Sequence, residues 1–192
     1  MRILRNTDGA TAVEFALVLP FFLVFVLGIM DLGAYYFVAG QLQNGVEQAA
    51  RSIRVGDANY TGIDADTSTA GQEERFVQLV CSNIHTGMIL DCLNNVRVDV
   101  RSFATFTGSS AYDNTDLNGD GTVDSNDSCY NAGTGGQAVI ARAYYRYNFI
   151  IPQMGALTGG TSTSHVDTEI VATTAFRNEP FPGGGGTGSG CS

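Results

Sequence analysis

The sequence has no lysine and no tryptophan, and its 10 basic residues, all arginine, stand against 19 aspartates and glutamates. Cations this few cannot neutralise a run of phosphates, so nucleic acid is excluded as a partner. The four cysteines contain no C-x₂₋₄-C pair, which disfavours zinc. His85 and His165 are isolated from each other and from any nucleophile. No G-x-S-x-G and no glycine-rich phosphate loop after a strand occurs, so no enzymatic activity is expected. No internal repeat of 20–50 residues is visible, so a solenoid or propeller is excluded as well.

What the chain does have is a long apolar run near its start. Phe15–Met30 carries no charge, and the stretch extends past Asp31 to Phe37. A helix over about 23 residues rises about 34 Å, enough to cross a hydrocarbon core. Tyr35 and Tyr36 suit the headgroup zone, and Asp31 is expected near the outer end, within reach of interfacial water. Arg2 and Arg5 flank the other end. The positive-inside bias therefore places residues 1–9 in the cytoplasm and the C-terminal bulk outside. Pro20 removes one helix hydrogen bond, and a local bend is expected there.

A cleaved secretory signal shares the basic start and the apolar run. Against it, Glu14 interrupts the start of the run, the run exceeds the usual 7–15 residues, and no convincing A-x-A site follows before Tyr35. Glu14 is the informative residue, because a carboxylate just inside a bilayer is costly and marks a partner or a function. If the chain is cut after Gly9, Ala10 gains a free amine and Glu14 lies one helical turn away. Its carboxylate then neutralises that amine, in its own or a neighbouring chain, and suits the positive end of the helix dipole.

Gly9-Ala10-Thr11-Ala12-Val13-Glu14-Phe15 resembles the processing site of type IV pilin-like proteins. The run GATAVEFALVLPFFLVFVLGIMDLGAYY resembles the TadE-like minor pseudopilins of the bacterial tight-adherence (Tad) pilus system. Ala175-Phe176-Arg177-Asn178-Glu179-Pro180-Phe181 resembles the ending common in that family. The resemblance implies a prepilin peptidase that cuts after Gly9, with Ala10, Glu14 and Phe15 completing the processing site. It also implies other pilin or pseudopilin subunits and an inner-membrane assembly platform as partners. The function implied is that of a minor pseudopilin in a Tad-type (type IVc) pilus or secretion machine, serving pilus biogenesis, surface adhesion or biofilm formation. The place implied is the bacterial inner membrane, single-pass, with a periplasmic C-terminal domain that becomes extracellular in the assembled pilus. The competing reading is a permanently anchored periplasmic domain, stabilised by calcium, that binds or adheres and never polymerises.

Beyond the membrane stretch, Leu42, Val46, Ala49, Ala50 and Ile53 recur at helical spacing, with Gln43, Asn44, Glu47, Gln48 and Arg51 on the other face. One long helix over residues 10–55 is expected, its outer half amphipathic and covered by a soluble domain spanning residues 56–182. Residues 56–71 read as a polar loop. Gly71–Ile89 reads as a short helix, with Glu73 and Glu74 in its first turn and His85 as a dipole partner near its end. Strands are expected over Asn95–Phe106, Gln137–Ile151 and Val166–Phe176. In the first, Val96, Val98 and Val100 face inward while Arg97, Asp99 and Arg101 face solvent. The fold class expected is α+β: the long helix packed on a small antiparallel sheet, pilin-like by the resemblance. Residues 183–192 read as a flexible glycine-rich tail.

Four cysteines in an exported chain point to disulfides. A local Cys81–Cys92 bridge would leave Cys129 and Cys191; three connectivities are open. One further motif carries chemistry. Asp116, Asn118, Asp120, Thr122, Asp124 and Asp127 stand at positions 1, 3, 5, 7, 9 and 12 of a loop with Gly121 at position 6. Thr122 offers a backbone carbonyl, and the glycine permits the sharp turn that gathers oxygens around calcium. The loop resembles those of EF-hands and dockerins, except that Asp127 replaces glutamate at position 12. A structural calcium ion is expected here, since it removes the repulsion among four carboxylates.

Overall fold

A computed structural model describes residues 8–56, 69–84, 92–107, 129–149 and 167–180. Its elements run α1 (Asp8–Val55), α2 (Thr69–Ser82), α3 (Cys92–Asn95), β1 (Val96–Phe103), β2 (Ala138–Asn148) and β3 (Asp167–Arg177). The class is α+β, a long N-terminal helix with a three-stranded antiparallel sheet of order β1-β2-β3. The described residues fall into two compact units. One holds residues 8–37 with 148, 149, 167 and 168; the other holds 38–147 and 169–180.

In the first unit, α1 is continuous through Pro20. Its side chains from Val13 to Met30 are mostly exposed, with Phe21 at 77% and Phe25 at 68%. The expectation for Asp31 needs correcting. It is 3% exposed, so its carboxylate is enclosed by protein and not held out to interfacial water. Next along the helix, Tyr35 stacks on Phe149 with ring centroids 5.4 Å apart, which places these two aromatics in a protein contact.

The second unit contains the core. The amphipathic half of α1 buries Val38, Leu42, Val46, Ala49, Ala50 and Ile53. The apolar face of α2 adds Phe76, Val77 and Val80, and the strands add Val98, Val100, Val139, Ala141, Ala143, Ile170 and Ala172. Burial of this kind is the main stabilising term, about 25 cal/mol per Å² of apolar surface removed from water. α1 ends at Gly56, whose φ of 64° is open to glycine without strain and whose N–H donates back to Ile53 O at 3.1 Å. Gly45 serves a different need. A Cβ there would lie 2.9 Å from Val80 O and 3.0 Å from Ile84 Cγ1, so its absence lets α1 and α2 cross closely.

Helix α2 begins two residues earlier than the sequence suggests. Glu73 and Glu74 therefore sit in its second turn, away from the N-terminal dipole. It ends at Ser82, where Asn83 Nδ2 donates to Leu79 O at 2.8 Å and competes with helix continuation. The short α3 was not expected from sequence. Cys81 and Cys92 are disulfide-bonded, so the end of α2 is tied to α3.

In β1 the alternation is only half kept. Val96, Val98 and Val100 are buried as expected, but so are Asp99 and Arg101. Arg101 Nε donates to Asp99 Oδ1 at 3.0 Å, and Cys129 N donates to the same oxygen at 3.1 Å. The covering piece is the segment 129–131. Val100 N donates to Cys129 O at 2.8 Å and Asn131 N to Val100 O at 2.7 Å, closing the outer edge of β1. β1 and β2 pair antiparallel with Val98 opposite Ala143.

Candidate functional site

Among the described residues, two places carry candidate chemistry: the start of α1 and a polar cleft on the second unit. At the start of α1, Gly9 and Glu14 are both exposed and share one helix. Nothing lies within 4 Å of a Cβ placed on Gly9, so a larger side chain there meets no steric penalty in the fold. Glu14 follows Ala10 by four residues, which puts it one turn along the same helical face. Phe15 beside it is 65% exposed. From Gly9 to Met30, Glu14 is the single charged residue. The helix is apolar on every side here, with no face turned to a core, and its length and hydropathy make it a candidate membrane anchor.

The cleft lies between α2, α3 and the sheet. A space of about 580 Å³ is lined by Glu73, Glu74, Gln78, Leu93, Asn94 and Arg97. A smaller one of about 100 Å³ shares Asn94 and Arg97 and adds Tyr144, Arg146 and Glu169. Arg97 and Tyr144 are direct cross-strand partners. Burial pushes the Glu73 carboxyl above the usual carboxylate range; Asp99 adds to the rise and Arg97 opposes it. Burial likewise raises the Tyr144 phenol, against a hydrogen bond with Arg142 that lowers it; Asp99 and Glu169 add to the rise. Both groups are thereby kept neutral over a wider pH range, and among the described lining residues there is no serine, threonine or cysteine beside them. The cleft's described lining is mostly polar.

The remaining expected site residues are placed only in part. The Cys81–Cys92 bridge is formed, and Cys129 is also disulfide-bonded. Cys191, the calcium loop with Asp116, Asn118, Asp120, Thr122, Asp124 and Asp127, both histidines and the tail lie outside the described residues. Among the described residues no three metal-ligating side chains converge.

The C-terminal motif has a structural meaning that sequence reading missed. Asn178 is buried, and its Nδ2 donates to Ala132 O at 2.9 Å and Thr134 O at 3.1 Å. Arg177 Nε donates to Gly136 O at 2.7 Å, and Glu179 N donates to Arg54 O at 2.9 Å. The motif thus clasps the turn before β2 to the C-terminal end of α1. An asparagine just past a strand, flanked by Arg and Glu and followed by proline, was the available signal.

Comparison with known families bears on α1. Residues 9–51 match the family model of TadE-like proteins. This N-terminal segment is similar to TadE-like proteins. The match begins at Gly9 and ends within the amphipathic half of α1, so the TadE-like segment takes in both the exposed and the buried parts of the helix. TadE-like proteins are pilus components and not an enzyme family, and the likeness over residues 9–51 points to association with a Tad pilus. No curated protein and no solved structure matches the chain.

Proposed function

We propose that the chain is a minor pseudopilin of a Tad-type (type IVc) pilus or secretion machine, acting in pilus biogenesis, surface adhesion or biofilm formation. The observation that carries this reading is the exposure of most of the apolar half of α1, where Glu14 is the one charge between Gly9 and Met30. A helix of this kind needs an apolar surround, and lipid supplies it first. In an assembled fibre, neighbouring helices of the same kind supply it instead.

In this reading the helix is stored in the inner membrane with Arg2 and Arg5 in the cytoplasm. Prepilin peptidase cuts after Gly9, and the new amine of Ala10 pairs with Glu14 of its own or a neighbouring chain. That pairing offsets the cost of placing a carboxylate in an apolar surround. The soluble domain stays in the periplasm until the assembly platform and other pilin subunits take the helix up.

Mass spectrometry of the mature protein tests this: Ala10 as first residue is expected, and an intact Met1 would refute it in favour of a permanent anchor. Gly9→Val should block cleavage without unfolding the chain, because the position is sterically open. Glu14→Ala should still be cut yet fail to incorporate into the pilus. Normal incorporation would overturn the neutralisation role.

We also propose a structural calcium ion in loop 116–127. What supports it, beyond the spacing of the oxygens, is the anchoring of the next residues: Cys129 N and O both bond to β1. Titration of the protein with millimolar calcium should release heat and raise the melting temperature, and the absence of both effects would sink the assignment.

A further inference from the structure

The outer edge of β3 points to a device of a different kind. In an antiparallel ladder, successive residues turn their backbone N–H and C=O alternately toward one side and the other. Asn178 addresses the β2 side: its N–H donates to Gln137 O at 2.9 Å and its O accepts from Gly136 N at 3.1 Å. Thr173 has the opposite parity, and both of its backbone groups meet the side chain of Gln43. Thr173 N donates to Gln43 Oε1 at 3.2 Å, and Gln43 Nε2 donates to Thr173 O at 3.1 Å.

A primary carboxamide that accepts from the N–H and donates to the C=O of one residue imitates a directly opposed strand residue. Its orientation is fixed, because Gln43 Nε2 also donates to Glu47 Oε1 at 2.9 Å.

The edge that Gln43 occupies is complementary to itself. In an antiparallel pairing of two β3 strands centred on Thr173, Glu169 lies opposite Arg177 and Val171 opposite Ala175. These are the residues whose backbone groups face the edge. The pairing joins opposite charges twice and apolar side chains twice, and both types of cross-strand pair are stabilising. Val171 is 49% exposed, so the apolar contact is not already satisfied. Unguarded strand edges of this kind are a general hazard.

We propose that Gln43 is an edge guard. Its carboxamide fills the centre of a self-complementary strand edge and keeps a second copy of this chain from pairing there. The device is independent of cleavage at Gly9.

The test uses the full chain in detergent micelles, with Thr173→Cys as a reporter and a short bismaleimide as crosslinker. At the two-fold centre the paired Cα atoms are about 5.5 Å apart, within reach of the reagent. With Gln43 present the chain should remain monomeric. Adding Gln43→Ala should raise the crosslinked dimer about tenfold, as expected for loss of two competing hydrogen bonds. Gln43→Glu keeps the size but sets a carboxylate against Thr173 O, and should raise it likewise.

In the Gln43→Ala background, Glu169→Arg should suppress the dimer, and Glu169→Arg with Arg177→Glu should restore it. A dimer yield unchanged by both Gln43 variants would overturn the guard. A yield indifferent to the charge reversal would overturn the register and with it the self-complementary edge.

Discussion

Both halves of α1 carry apolar side chains, and these meet opposite fates. Phe21 and Phe25 are 77% and 68% exposed, whereas Leu42 and Val46 are at 0%. The difference is one of pattern. Residues 15–30 are apolar on every side, so no single protein face could cover them. Residues 38–53 are apolar on one side only, and that side is met by α2 and the sheet. Hydrophobicity sets how much surface must leave water; periodicity decides whether the same chain can supply the cover.

Paired substitutions put this contrast to measurement. Leu42→Ala should lower the unfolding free energy of the soluble domain by roughly 3 kcal/mol, as a truncation in a closed core does. Leu23→Ala, at a site 47% exposed, should change it by less than about 0.5 kcal/mol. Denaturant unfolding in detergent reads both, and equal losses would break the distinction between the halves.

A finer pair separates two glycines of the buried half. Gly45→Ala sets a methyl 2.9 Å from Val80 O and should destabilise by about 1–2 kcal/mol despite alanine's better helix propensity. Gly40→Ala meets nothing within 4 Å and should stabilise by about 0.5–1 kcal/mol. Melting temperatures moving the same way in both would show that α2 does not hold α1 closely.

The smallest effect expected is a pH dependence at Glu73 on α2. Its carboxyl is raised above the ordinary value of 4.5 by burial first, then by Asp99, against Arg97. A carboxyl raised in the folded state contributes fully below its unfolded value, and the contribution is lost as pH rises through the raised one. Glu73→Gln removes that loss. The variant should gain on the wild type as pH climbs above about 4.5, and parallel stability profiles would contradict the assignment.

Much of the fold was legible in the sequence because local pattern and tertiary outcome agree. Strands read at Asn95, Gln137 and Val166 appear within a residue or two of those starts, and α1 ends at Val55 as expected. The misreadings came from partners far away in sequence. Asp99 and Arg101 look like the solvent side of a strand until Cys129 and Tyr130 return to cover them. Asp31 looks interfacial until its surroundings enclose it. Asn178 looks like part of an ending until its amide reaches Ala132 and Thr134. That Gly9 and Glu14 share one helix was legible, because they stand five residues apart at the head of one apolar run. The Gln43–Thr173 contact was not, since it spans 130 positions.

That span has a consequence for how the molecule is made. Synthesis proceeds from the N-terminus, so α1 exists long before the strand that receives Gln43 and the residue that receives the carbonyl of Arg54. Contacts this distant close late and slow folding, because loop entropy is lost before they reward it. The inward-facing side of α1, with Val38, Leu42 and Val46, gains its cover in stages, and the part that β3 supplies comes after α2, β1 and β2. Truncation before Glu179 would take from the C-terminal end of α1 the N–H that Arg54 O accepts.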